Sequence, residues 1–179
     1  MKVIVVVITC LVAMPSAAFA QGARLQLDHL DRLASAATET VNITVDPSML
    51  KLASSFLNGN GQDAAIKELL NGLKGIYVKA FEFDHENAYT PDDINAVRRQ
   101  LAAPGWSKLV TVDSKREREL VEVYSWREGS GSGGLAVLAA EPMQLTVVNI
   151  VGPIDLAKLG KLQGQFGIPR LPGDAAQGK

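Results

Sequence analysis

Apolar and polar positions change period several times along the chain, and each change marks an element. From Leu25, the apolar residues Leu27, Leu30, Ala34 and Ala37 recur at helical spacing, and Asp28 with Arg32 makes a favourable i,i+4 pair, so a first helix is expected. Val41 to Val45 alternates around Asn42 and Thr44 and predicts a short strand. Asp46-Pro47 stops it, since Asp46 can cap and Pro47 can open a second helix, one that would bury Met49, Leu50, Ala53, Phe56 and Leu57. The Asn58-Gly59-Asn60-Gly61 turn leads to a third helix from about Asp63, with Ile66, Leu69, Leu70 and Leu73 on its apolar side.

Gly75 opens a strand from Ile76 to Asp84. Thr90-Pro91-Asp92-Asp93 combines a hydroxyl cap, a first-turn proline and carboxylates at the positive end of the dipole; the helix it starts carries Ile94, Val97 and Leu101 and ends before Pro104-Gly105. Strand signals then crowd together at Lys108 to Asp113, Leu120 to Trp126, Leu135 to Ala140 and Leu145 to Val151, with the short connections of an antiparallel meander. Gly152-Pro153 ends the last strand. Asp155 begins a helix with Leu156, Leu159 and Leu162, and residues 172–179 read as a small, polar, disordered tail.

These elements predict one α+β domain over residues 25–171, after a short linker at 21–24. The expected fold has two layers: a mainly antiparallel sheet of about five or six strands with helices packed on one face. The stretch from Ile76 through the Pro91 helix to Val112 could form a right-handed βαβ unit and place one parallel pair in the sheet. Strand order is not readable.

The first twenty residues follow a different grammar. Lys2, an apolar run from Val3 to Ala13, Pro15, and the ending Ala18-Phe19-Ala20 predict a signal peptide cleaved after Ala20 and a periplasmic or extracellular product. The run falls short of the roughly 20 residues that span a bilayer, so no membrane anchor is expected in the mature chain. Cys10 could in principle carry lipid, but Thr9 stands where a small Gly or Ala is usual. Cleavage removes Cys10, the only cysteine, so the mature domain would hold by packing alone. It also removes Lys2 from 18 basic residues, leaving 17 against 19 acidic ones and a net charge of −2, which offers no electrostatic footprint for nucleic acid.

Candidate chemistry weakens on inspection. Ser48-Met49-Leu50-Lys51 matches the S-x-x-K pattern in which a lysine activates a serine, yet the chain has neither S-D-N nor K-T-G, and a capped helix start explains it. Glu82, Asp84, His85 and Glu86 cluster at a strand end, where a metal or an acid-base site could sit, but Tyr89 stands where a second histidine would be needed and His29 is the sole other imidazole. Gly129-Ser130-Gly131-Ser132-Gly133-Gly134 spells G-x-G-x-x-G, but a strand rather than a helix follows, so a hairpin loop is expected. The run Lys115 to Glu119 mixes signs as a solvated turn does. No catalytic residue, metal ligand or cofactor is assigned.

The sheet offers the better candidate. The strand from Ile76 places Tyr77, Lys79, Phe81 and Phe83 on one parity, and the strand from Leu120 places Glu122, Tyr124 and Trp126 on one parity. Tyr77, Lys79, Tyr124 and Trp126 could form a recognition surface. They could equally belong to a face covered by the N-terminal helix. Both readings stay open at this point.

The strings Gly75-Ile76-Tyr77-Val78-Lys79-Ala80-Phe81-Glu82-Phe83-Asp84, Ala103-Pro104-Gly105-Trp106 and Thr146-Val147-Val148-Asn149-Ile150-Val151-Gly152-Pro153-Ile154-Asp155 resemble the bacterial exported family known as domain of unknown function 4252. The resemblance runs from about Leu27 to Leu171. It implies a bacterial origin, an envelope or extracellular destination and a setting near extracytoplasmic-function sigma-factor systems, and it carries over no catalytic residue.

The expected function is that of an exported, non-catalytic binding protein of the bacterial envelope, with a role in envelope signalling or stress response as one version of it and an unidentified envelope protein or ligand as partner. The alternative is a small hydrolase or metal-dependent enzyme centred on Glu82, Asp84 and His85. A structural component of the envelope is the third reading.

Overall fold

A computed structural model of the chain describes residues 22–154, apart from 59, 61 and 130. The expected signal peptide, the helix from Asp155 and the terminal tail lie outside the described residues. Strands β1 (Glu39–Val45), β2 (Gly75–Glu82), β3 (Trp106–Ser114), β4 (Glu119–Glu128), β5 (Gly131–Glu141) and β6 (Gln144–Val151) form one sheet in the order β1-β2-β6-β5-β4-β3. Every neighbouring pair is antiparallel. With helices α1 (Pro47–Ser55), α2 (Gln62–Gly72) and α3 (Pro91–Leu101), and a 3-10 helix at Asp28–Ser35, the architecture is the expected α+β class.

The helix starts follow their local chemistry. Asp46 Oδ1 accepts from the amides of Ser48 at 2.8 Å and Met49 at 2.9 Å, satisfying two donors at the head of α1. At the head of α3, Asp93 Oδ2 accepts from the Thr90 amide and the Thr90 hydroxyl, both at 2.8 Å.

The connection β2–α3–β3 is a crossover, but the parallel pair expected from it is absent. Four antiparallel steps separate β2 from β3, so the two strands run the same way with β6, β5 and β4 between them. Consecutive strands β3 to β6 pair with one another across short turns, at low loop-closure cost, and the whole meander then docks on β2 through β6.

The sheet has helices on both faces, not on one. Its inner face carries the main core: Phe81, Leu138, Leu145, Val147, Ala136 and Ala140 pack beneath Leu30 and Leu33 of the 3-10 helix and Val97 and Leu101 of α3. On the outer face, Leu50 of α1, Leu73 and Ile154 pack over one end of the sheet, against Val45, Ile76, Leu135 and Ile150. That smaller cluster needs little of α1. Leu50 is buried there, while Met49 is 51% and Phe56 78% exposed, contrary to the expected apolar face of that helix.

The N-terminal segment also departs from expectation. Ala23, Leu25 and Leu27 are buried and alternate with exposed Arg24 and Gln26, so an extended strap precedes a helix that starts only at Asp28. Arg32 ion-pairs with Asp93 of α3 rather than with Asp28. Asp31 reaches Lys79 in the sheet. Tertiary partners thus replace the local i,i+4 pair.

Candidate binding surface

The four sequence-derived residues all lie on the inner face, and the structure covers that face. Lys79 is 9% exposed and ion-pairs with Asp31. Tyr124 is buried, and its hydroxyl donates to Glu122 Oε2 at 3.1 Å. Half-buried Trp126 meets Trp106 edge-on with ring centres 5.5 Å apart, and the Arg24 guanidinium sits 4.4 Å above the half-buried Tyr77 ring. Tyr77 and Tyr124 occupy one row of the register, Tyr77–Asn149–Ala136–Tyr124, so two whole strands separate them. Tyr77 and Lys79 border a cleft of about 190 Å³ beside the N-terminal strap, which Tyr124 and Trp126 do not reach. Lys79 and Tyr124 thus lie buried beneath the strap, the 3-10 helix and α3, while Tyr77 and Trp126 are half-buried.

Polar groups on that face are tied down. Glu122, buried in the sheet, accepts from Arg98 Nε at 2.9 Å and Nη2 at 3.1 Å, from Lys108 Nζ at 2.6 Å and from Tyr124. Burial opposes its ionisation, but the hydrogen bonds from Arg98, Lys108 and Tyr124 outweigh burial and hold its carboxyl at about 2, against an ordinary 4.5. Asn149 is fully buried. Its Oδ1 accepts from the Leu25 amide at 2.9 Å, and its Nδ2 donates to the Ala23 carbonyl at 2.9 Å, which fixes the strap across the sheet. Neither role was legible in the sequence, where Glu122 and Asn149 are isolated polar residues in strands and their partners lie far along the chain.

The acidic and histidine cluster does not assemble into a site. His85 Nδ1 lies 2.5 Å from Asp84 Oδ1, with the two side chains 63% and 70% exposed, and neither lines a described cavity. The hydrogen bond from His85 holds the Asp84 carboxyl below the usual carboxylate range. Glu82 projects elsewhere, to an open cavity of about 460 Å³ shared with Glu86, Arg118 and Glu141, where Glu86 is ion-paired with Arg118. No group of three or more possible metal ligands gathers among the described residues. Ser48 Oγ donates to Asp46 Oδ1 at 2.5 Å as part of the helix cap, and of the glycine-rich stretch, Gly131 to Gly134 belong to strand β5, paired with β4, rather than to the expected loop.

The outer face presents the most unusual surface of the domain. One row of the register crosses all six strands as Ile43–Val78–Val148–Val137–Val123–Val110, and the next as Val41–Ala80–Thr146–Ala139–Val121–Val112. Eleven of these twelve residues are aliphatic. The four residues on the edge strands are exposed, Val112 to 47%, and the eight on the inner strands are half-buried. All twelve lie outside both core clusters. A polar rim closes the end of the face away from α1 and α2: Glu39, Glu82, Gln144 and Glu141 follow in register, with Glu119 on β4 on the same parity as Val121. Among the described residues none of the four rim glutamates has an ion-pair partner. The signal for this surface was present as the second parity of every strand, in valines that alternate with the residues of the inner face.

The family described as Domain of unknown function (DUF4252) matches residues 35–162, most of the chain, and the chain belongs to it. No curated protein and no solved structure matches the chain.

Proposed function

We propose that this member of the family is an exported, non-catalytic interaction domain whose outer sheet face holds an apolar element of an envelope partner. The two aliphatic rows across six strands carry the reading. Six strands about 4.8 Å apart and four residues of about 3.4 Å give a footprint of roughly 400 Å². Contiguous apolar patches of that size on soluble proteins are commonly interaction sites. The footprint is about half of the 800 Å² per partner typical of stable protein pairs, so it suits one amphipathic helix better than a second folded domain. The exported destination rests on the pattern of the first twenty residues. A net negative charge and a glutamate rim oppose nucleic acid as the partner.

Crosslinking in the native envelope, read by mass spectrometry, tests this directly. Val78→Asp with Val137→Asp, on strands separated by β6, should abolish partner capture while the circular dichroism spectrum stays that of the parent. Capture of the same partners at undiminished yield would sink the reading. The hydrolase reading has no comparable support, because Asp84 and His85 point into solvent apart from Glu82.

A further inference from the structure

The sheet does not close on itself, and its two edge strands differ. β3 breaks register between Lys108 and Val110 and carries the charges of Lys108 and Asp113, devices that bend or charge an edge against further pairing. β1 has none of them. Its seven residues pair with β2 in unbroken register, six of the seven are exposed, and they include no proline, no lysine and no charge but Glu39 at one end. Among the described residues, nothing pairs with its other side. Backbone parity defines what that edge offers. The Phe83 amide donates to the Met143 carbonyl at 2.9 Å, in line with the β2–β6 register, so odd-numbered positions of β2 bond to β6 and even-numbered ones to β1. Val41 and Ile43, opposite Ala80 and Val78, therefore direct their backbone groups at β2, and Thr40, Asn42 and Thr44 direct theirs away from the sheet. By residue type, the segment Thr40-Val41-Asn42-Ile43-Thr44 reads the same in both directions, with Asn42 at its centre.

We propose that β1 is the dimerisation edge of this protein: a second copy of the chain adds its own β1 antiparallel to the first, about a two-fold axis at Asn42. This goes beyond the binding reading and stands on separate observations. The outward groups of the two copies then match, Asn42 with the partner's Asn42 and Thr40 with the partner's Thr44, in a ladder of about six backbone hydrogen bonds. The side chains match as well. Threonine meets threonine on the inner side, and Val41 meets the partner's Ile43 on the outer side. Glu39 falls opposite the partner's Val45, so no like charges oppose one another across the join. Growth stops at two copies, because the edges left free are both β3. The join also sets the aliphatic rows of the two outer faces end to end, which doubles the footprint to roughly 800 Å², the area per partner of stable protein pairs.

Crosslinking and sedimentation test the pairing, in chains carrying Cys10→Ser so that an introduced thiol is the only one. Asn42→Cys should give a disulfide-linked dimer under mild oxidation, whereas Thr111→Cys, on the other edge strand, should stay monomeric. In sedimentation equilibrium the parent should pass from monomer to dimer as concentration rises. Asn42→Pro removes an outward donor and none of the bonds to β2, and should weaken association about tenfold or more. Asn42→Asp and Asn42→Lys should each weaken it too, because the axis sets each charge against its own kind, and mixing the two variants should restore a dimer with one copy of each. Parent-like circular dichroism verifies that every variant is folded. A parent that stays monomeric at all concentrations, one that grows into larger oligomers, equal crosslinking at the two cysteine positions, or charge variants that gain nothing on mixing would overturn the inference. Capture of envelope partners by a strictly monomeric parent overturns the pairing and leaves the binding face standing. A dimer in which Val78→Asp with Val137→Asp leaves capture unchanged supports the pairing and removes the binding face.

Discussion

The two faces of the sheet reverse the usual relation between polarity and burial. The inner face carries Lys79, Glu122 and Asn149 among its aliphatic residues and is covered; two full rows of the outer face contain no polar side chain but Thr146 and, among the described residues, lie outside both core clusters. Coverage follows the connections, since the N-terminal strap and α3 both pass over the inner side, and the α1–α2 hairpin reaches only one end of the outer side. The inner polar groups are tolerated because each is bonded, Lys79 to Asp31, Glu122 to Arg98, Lys108 and Tyr124, and Asn149 to Ala23 and Leu25 of the strap. Hydrophobicity alone did not select the core.

Adjacent residues of β5 expose the contrast most sharply. Leu138 is fully buried on the inner face, and Leu138→Ala should cost about 3 kcal/mol in urea unfolding, whereas a substitution at its neighbour Val137 on the outer face should cost much less. A loss at Val137→Ala equal to that at Leu138→Ala would show the outer face to be a second core. Glu122→Gln comes next, at about 2 kcal/mol, because it weakens a buried carboxylate bonded by Arg98 and Lys108 together.

That substitution also has a pH signature. The folded carboxyl titrates near 2 and the ordinary one near 4.5, so its contribution is complete above about pH 4.5 and is lost as pH falls toward 2. Thermal melts of the parent should therefore fall more steeply than those of Glu122→Gln across that window. Asn149→Ala should cost roughly 1–2 kcal/mol and raise the exchange rate of the Leu25 amide, which hydrogen exchange reads residue by residue. The smallest effect belongs to the outer face: Val121→Thr should change stability by less than about 0.5 kcal/mol, since its side chain borders solvent and its partner Ala139 is small.

Local chemistry made much of the fold legible. Asp46-Pro47 and Thr90-Pro91 announce α1 and α3 because cap and proline act within one turn, and the strand signals from Lys108 to Val151 fall within the observed strands β3 to β6. The first helix was misplaced by three residues for a related reason. Leu25 and Leu27 fit a helical period and an extended one equally well, and only Asn149, distant in sequence, decides between them. The aromatic face drew attention because Tyr77, Tyr124 and Trp126 stand out in a sequence, while the valines opposite them stand out only when six strands are set side by side.

The sequence by itself determined the elements, their boundaries to within a few residues, the α+β class and the family, because caps, turns and alternation act over short stretches of chain. The tertiary structure alone decided strand order, which parity became the core, and how Glu122, Asp93 and Lys79 are neutralised. Those outcomes depend on where crossovers pass and on partners far apart in sequence, and alternation of period 2 is the same whichever face is covered.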